Sequence, residues 1–361
     1  MSAARPVLIM AGGTGGHVYP ALAVADYLRD RGVPLYWLGT RQGLESRVVP
    51  ERRYPLLTIS IRGLRGNGAI GWLLAPFRLC IAVAQAARHL LRCRPAAVLG
   101  MGGFVSGPGG VAAWLLRIPL VIHEQNAVAG LTNRLLAPLA RAVLQGFPGS
   151  FGSAVDARTT GNPVRAEISR VAPPVQRLAG RDGPIRLLVL GGSQGARALN
   201  RRLPSVLANM AGAPLEILHQ SGPQHLEETR RQYAAAGVRN AEVVPYIENM
   251  AEAYAWADLV LCRAGALTIA ELCVAGVAAI LVPYPFAVDD HQTANARHLS
   301  GAGGAVLLPE KDLDSGVLAV LIAELVADRG RLVGMAERSR SLGHPEAVQV
   351  VGDVCLEAAH G

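Results

Sequence analysis

The stretch "MAGGTGGHVYPALAVADYL", residues Met10–Leu28, sets four glycines, a threonine and a histidine between an apolar run and an amphipathic segment. Val7–Met10 reads as a short buried strand and Ala11–Gly16 as a glycine loop. Val18–Arg29 reads as a helix, with Ala21, Leu22, Ala25 and Leu28 at helical spacing, Pro20 in the first turn and Gly32 just beyond the end. A strand, a bare turn and a helix in that order make an anion site, because backbone N–H groups point outward and the helix N-terminus carries partial positive charge.

The same order recurs along the chain. Ala97–Leu99 is strand-like, "GMGGFVSGPGG" (Gly100–Gly110) reads as a second glycine loop, Val111–Leu116 as a helix, and "PLVIHEQN" (Pro119–Asn126) as a strand. Ile185–Leu190, "GGSQGAR" (Gly191–Arg197) and Ala198–Met210 repeat the unit. Leu259–Cys262 precedes "RAGALTIAEL" (Arg263–Leu272), and Ala279–Val282 precedes "PYPFAVDDHQTANA" (Pro283–Ala296). Alternating strands and helices predict an α/β fold with mainly parallel sheets, whose ligands bind beyond the carboxyl ends of the strands. The pattern restarts near Ile185, after the proline-rich stretch Gly161–Pro184. Two Rossmann-like domains facing across a cleft are therefore expected, residues 1–162 and 163–341, with a terminal helix at about 342–361 returning to the first.

The composition fits two sizeable cores. The chain has 361 residues, 51% hydrophobic and 17% charged, far from a disordered balance. Its net charge is +8, and Lys311 is the only lysine among 35 basic residues. Arginine suits bidentate contacts to phosphate or carboxylate, so nucleic acid, an anionic membrane surface and phosphorylated substrates are the partners to weigh. No zinc-finger spacing and no aromatic–basic RNP pattern occurs, which puts nucleic acid last. Cys80, Cys93, Cys262, Cys273 and Cys355 are scattered and form no C-x-x-C pair, as expected in a reducing compartment. Neither a signal peptide nor a transmembrane helix is expected.

Other phosphate-binding schemes fit poorly. Gly13-x-Gly15-x-x-Val18 resembles a dinucleotide fingerprint only loosely, and no acidic residue lies between Arg31 and Leu44 to hold a ribose; no P-loop motif occurs. Asp312-Leu313-Asp314 matches a D-x-D metal pattern but precedes the helical run Val317–Val326, where a helix cap explains it better. No metal site and no cofactor are expected. Facing Rossmann domains with diphosphates on helix N-termini are the habit of nucleotide-sugar enzymes.

Seven motifs taken together, "AGGTGGH", "GLRG", "GMGGFVSGPGG", "HEQN", "GNPVR", "GGSQGAR" and "CRAGALTIAE", resemble in order and spacing the MurG glycosyltransferases of bacterial peptidoglycan synthesis, over roughly residues 5 to 355. The resemblance implies a GT-B fold. It also implies transfer of N-acetylglucosamine (GlcNAc) from UDP-GlcNAc to undecaprenyl-pyrophosphoryl-N-acetylmuramoyl-pentapeptide (lipid I), giving lipid II. The transfer would invert the anomeric centre and take place at the cytoplasmic face of the inner membrane. A UDP-GlcNAc 2-epimerase and a non-enzymatic nucleotide-sugar-binding module are the competing readings.

The resemblance also assigns residues. Thr14, Gly15 and Gly16 match positions that touch the substrates. His17 is the candidate base, since an imidazole titrates near neutrality, and Glu124 is the second choice. Asn126 is implied to contact the donor sugar, Arg165 the donor phosphate or sugar, and Ser193 the diphosphate, or else to cap its helix. Ile247 is implied to meet uracil through its backbone. Thr268-x-x-Glu271 reads on its own as a capping box. The resemblance instead gives Glu271 the ribose hydroxyls, with Ala266, Leu267, Thr268, Ile269 and Ala270 beside it. Gln292 is implied to bind the GlcNAc ring, although Val288-Asp289-Asp290-His291 before it departs from the family's glutamine-rich pattern. Arg62–Arg92 repeats Trp72, Pro76, Leu79, Val83, Ala86 and Leu90 at helical spacing among Arg62, Arg65, Arg78, Arg88 and Arg92. It reads as an interfacial patch on anionic lipid anchored by Trp72 and Phe77, or as a buried helix pair.

Overall fold

The structure is a computed structural model and describes residues 5–61, 74–191, 196–210, 212–314 and 316–360. It forms two compact units, Met1–Arg165 with Pro345–Gly361, and Ala166–His344.

In the first unit the described strands are β1 (Val7–Met10), β2 (Leu35–Gly39), β3 (Leu56–Thr58), β4 (Ala97–Gly100), β5 (Leu120–Glu124), β6 (Ala142–Gln145) and β7 (Arg158–Thr159). They form one sheet in the order β3-β2-β1-β4-β5-β6-β7, and every pairing is parallel. The central strands β1, β4 and β5 are buried throughout, as a parallel sheet covered on both faces requires. Alternate residues split between two cores. Val7, Ile9, Trp37 and Leu99 pack with Ala21, Val24 and Leu28 of helix Gly15–Asp30 and with Val351 and Cys355 of the terminal helix Ala347–His360. Leu8, Met10, Leu38 and Val98 pack with Ala82, Ala86 and Leu90 of helix Ala75–Cys93 and with Ala112 and Ala113 of helix Ser106–Leu115. The terminal helix is held to helix Gly15–Asp30 by Tyr27, whose hydroxyl donates to Asp353 Oδ1 at 2.8 Å.

The second unit contains β8 (Ile185–Leu190), β9 (Leu215–Gln220), β10 (Ala241–Val244), β11 (Leu259–Cys262), β12 (Ala278–Leu281) and β13 (Ala305–Leu307). Their order, β10-β9-β8-β11-β12-β13, is all parallel and is the doubly wound order of a Rossmann fold. Strand order reverses between β1 and β4 in the first unit and between β8 and β11 in the second. Those are the switch points where loops diverge and ligands enter.

Two local expectations fail for identifiable reasons. The glycine run Gly100–Gly110 is not all loop, because the helix starts at Ser106 and includes Pro108, Gly109 and Gly110. These small residues serve packing: a Cβ on Gly109 would lie 2.2 Å from Met10 Sδ and 3.0 Å from Leu38 Cδ2. Asp312 lies in the 3-10 turn Glu310–Asp314 and is not the N-cap of helix Val317–Ala327, a position held by Gly316 with no side-chain cap bond. The segment Arg62–Trp72 lies outside the described residues. The helix that follows it is not wholly buried: Phe77 is 68% exposed, and Leu74, Leu79, Ile81 and Leu91 are exposed as well. Among the described residues no helix is long and apolar enough to cross a membrane.

The helix–strand contact yields a stability test. Gly109→Val would force branched carbons against Met10 and Leu38, and overpacking of this kind costs about 1–3 kcal/mol. Chemical denaturation should show that loss, and an unchanged midpoint would contradict the packing described.

Candidate active site

The first unit builds its site from two loops at the switch point. Thr14 is the N-cap of helix Gly15–Asp30, extended at φ −111 and ψ 159, and its carbonyl accepts from His17 N and Val18 N at 3.1 Å each. Its hydroxyl makes no cap bond. The loop after β4 presses on the loop after β1. Gly103 has φ +82, and a Cβ there would lie 2.2 Å from Gly12 O. Ser106 fixes this second loop, accepting from Gly102 N at 3.1 Å, with its Oγ 2.9 Å from Gly102 O.

A carboxylate that sequence reading missed braces the first loop. Glu45 is fully buried and accepts from Gly13 N at 3.0 Å, Thr40 N at 2.9 Å and Thr40 Oγ1 at 2.7 Å. One amide of the glycine loop, that of Gly13, is thus taken by an internal carboxylate. The available signal is an acidic residue shortly after the second strand, immediately beyond Leu44.

The "HEQN" motif closes β5. His123, Glu124 and Gln125 are buried. His17 Nδ1 lies 2.8 Å from Gln125 Oε1, so the histidine after the glycine loop meets the end of β5. Burial pushes the His123 imidazole down to about 4, so that ring is neutral near pH 7. Glu124 accepts from Asn126 N (2.9 Å), Asn126 Nδ2 (3.2 Å), Gly130 N (3.0 Å) and Asn133 Nδ2 (2.8 Å). Its carboxylate is occupied in shaping the turn after β5, and Asn126 is part of that turn. Arg165 is half-buried at the end of this unit's main segment.

The second unit gathers its residues past β11 and β12. Helix Ala266–Ala275 begins at once after the short connection, with Gly265 as N-cap and no side-chain cap bond. Ala266, Leu267 and Thr268 therefore form the first turn, whose amides have no partner within the helix. The capping box is absent, because Thr268 is the third helical residue rather than the cap. Glu271 lies deeper in the helix, buried, and its Oε2 accepts from the buried Tyr254 hydroxyl at 3.0 Å. Ile269 is buried and Ala270 half-buried on the same helix. Gln292, in helix His291–Gly301, ties the two strand ends together: its Oε1 accepts from Ala264 N at 3.2 Å and Tyr284 N at 2.9 Å. Arg263 reinforces this junction with an ion pair to Glu310 and a bond to Val282 O at 3.2 Å. Ile247 is half-buried in the loop after β10. Ser193 lies outside the described residues. Among the described residues no three His, Cys, Asp or Glu side chains converge as a metal site.

Two parallel-sheet units, each opening a helix N-terminus at its switch point, are the architecture of a GT-B glycosyltransferase. The comparisons agree: the glycosyltransferase family 28 N-terminal domain matches residues 7–145 and the family's C-terminal domain residues 186–351. A Marinobacter nauticus protein named UDP-N-acetylglucosamine–N-acetylmuramyl-(pentapeptide) pyrophosphoryl-undecaprenol N-acetylglucosamine transferase is 55% identical, over 99% of this chain and 98% of its own. The protein of that name from Alkalilimnicola ehrlichii is 57% identical over 98% of this chain and 99% of its own. The crystal structure of Acinetobacter baumannii MurG superposes with a TM-score of 0.87 at 42% identity, covering 98% of this chain and 99% of that one. The chain belongs to the MurG family of glycosyltransferases.

The Glu45 brace is testable by itself. Glu45→Ala removes the partner of the Gly13 and Thr40 amides, and the two bonds lost contribute about 1–3 kcal/mol together. The variant should lose stability on that scale in urea, and a wild-type midpoint would show that the carboxylate does not hold the loop.

Proposed function

We propose that the chain transfers GlcNAc from UDP-GlcNAc to lipid I, giving lipid II and UDP in peptidoglycan synthesis. Family membership at 55–57% identity over nearly the whole chain carries this reading. It also favours the transferase over the epimerase and over a non-catalytic binding module.

Within that reaction we assign the donor's UDP to residues of the second unit. In the second unit, the first-turn amides of Ala266, Leu267 and Thr268, with Ser193 in its glycine loop, would hold the UDP diphosphate without a metal. A helix N-terminus contributes roughly 0.3–2 kcal/mol per anionic group. Glu271 would accept the ribose hydroxyls, and its bond from Tyr254 orients it for that task. Ile247 would meet uracil, Gln292 the GlcNAc ring, Arg165 the donor's phosphate or sugar, and Asn126 the donor sugar. In the first unit, Thr14, Gly15 and Gly16 would border the acceptor.

The chemistry we propose is a direct displacement. The acceptor's MurNAc 4-hydroxyl attacks the anomeric carbon, the bond to the UDP oxygen breaks with its electron pair leaving on UDP, and His17 takes the hydroxyl proton. One displacement inverts the centre. His17 rather than Glu124 is the base because the Glu124 oxygens already accept four hydrogen bonds.

The lipid acceptor requires a membrane surface. Phe77, Leu79 and Ile81 are exposed on helix Ala75–Cys93 beside Arg78, with Arg88 and Arg92 further along. Apolar anchors flanked by arginines support interfacial contact with anionic lipid, and we assign the protein to the cytoplasmic face of the inner membrane as a peripheral protein.

Transfer of labelled GlcNAc to a lipid I analogue in detergent tests the reading. Activity should survive EDTA. Glu271→Ala should raise KM for UDP-GlcNAc by about 10–100-fold, the loss of one or two hydrogen bonds to a charged group. His17→Ala should lower kcat by about 10²–10⁴-fold. Formation of UDP-N-acetylmannosamine without an acceptor, in place of transfer, would overturn the proposal.

A further inference from the structure

His17, Gln125 and His123 form a hydrogen-bonded chain that ends on a backbone carbonyl. His17 Nδ1 is 2.8 Å from Gln125 Oε1. Gln125 Nε2 is 3.0 Å from His123 Nδ1 and 3.0 Å from the His123 carbonyl oxygen. His123 Nε2 is 3.0 Å from Gly161 O.

The proton positions follow from that last contact. A carbonyl oxygen only accepts, so His123 Nε2 carries a proton. The buried ring is neutral, so its Nδ1 accepts, and the donor to it is one N–H of the Gln125 amide. The other N–H goes to the His123 carbonyl, which fixes the amide's orientation a second time. Oε1 is thereby turned to His17, and an amide oxygen also only accepts. His17 Nδ1 must hold its proton, and in the neutral imidazole Nε2 then keeps the lone pair. Neighbouring backbone fixes the geometry. Asn162 Nδ2 donates to Gln125 O at 2.9 Å, and a Cβ on Gly102 would lie 2.7 Å from His17 Nδ1, so only glycine leaves the ring its place.

We infer that Gln125 is a positioning residue that holds His17 in the Nδ1–H form and so keeps Nε2 available to take a proton from the acceptor hydroxyl. The inference rests on the reading of His17 as base. In the displacement, the hydroxyl oxygen bonds the anomeric carbon, its proton passes to Nε2, and the leaving electron pair goes to UDP. His17 ends as imidazolium, with Nδ1–H still given to Gln125.

Nitrogen NMR of the full-length protein, labelled with ¹⁵N in its histidine rings, reads the tautomer directly, and His17→Asn identifies the His17 signals. Neutral His17 is expected as Nδ1–H in the wild type and as a mixture of both tautomers in Gln125→Met. In transfer assays, Gln125→Met should lower kcat by about 10–100-fold, less than His17→Ala, with KM for UDP-GlcNAc within about 2-fold. His17 found as Nε2–H in the wild type overturns the inference without any variant, and so does an unchanged Nδ1–H form in Gln125→Met. Wild-type transfer by His17→Ala alongside the expected tautomer would sink the base assignment and leave the tautomer lock standing.

Discussion

The first unit's site depends on a backbone-to-backbone contact. Gly103 approaches the Gly12 carbonyl so closely that no side chain fits between them, and it does so at a positive φ that glycine adopts freely. That contact holds the loop after β4 against the loop after β1. Glu45 fixes the first loop from the other side through Gly13 N. His17 is carried on the helix that the first loop opens, and the end of β5 supplies its partner. Loosening the glycine contact would shift His17 relative to Gln125, and a group that must be positioned for proton transfer loses much of its effect when misplaced by an ångström.

The two units share a plan and differ in charge. Both place a helix N-terminus at a switch point, where an anion is favoured. In the first, a buried carboxylate already occupies the Gly13 amide, so the loop is held by an internal anion. In the second, helix Ala266–Ala275 is capped by Gly265, with no side-chain cap bond. A glutamine amide and the Arg263–Glu310 pair brace the neighbouring strand ends instead. This difference is why we assign the donor diphosphate to the second unit.

Strand–loop–helix order along Met10–Leu28 and its repeats made the parallel sheets and the switch-point loops legible, because a strand buried on both faces reads as an apolar run and a glycine turn leaves a plain mark. Gly109 and Gly110 read as loop but lie in a helix, since composition does not tell a glycine needed for a turn from one needed for close packing. Thr268 and Glu271 have capping-box spacing, but the chain enters the helix at Gly265 and spacing does not fix register. Glu45 and Gln125 went unseen for different reasons. The Glu45 carboxylate faces a loop far from it in sequence. Gln125 sits two residues after His123, on the same face of the strand end, and that period of two was the signal available. Neither residue type announces a positioning role.

The displacement proposed for GlcNAc transfer takes place in one step and inverts the anomeric centre. The anomeric configuration of the product tests it most directly. Transfer from UDP-GlcNAc, whose anomeric centre is α, to a lipid I analogue should give a β-linked disaccharide, read from the anomeric proton coupling by NMR. An α-linked product would require retention and would contradict the account.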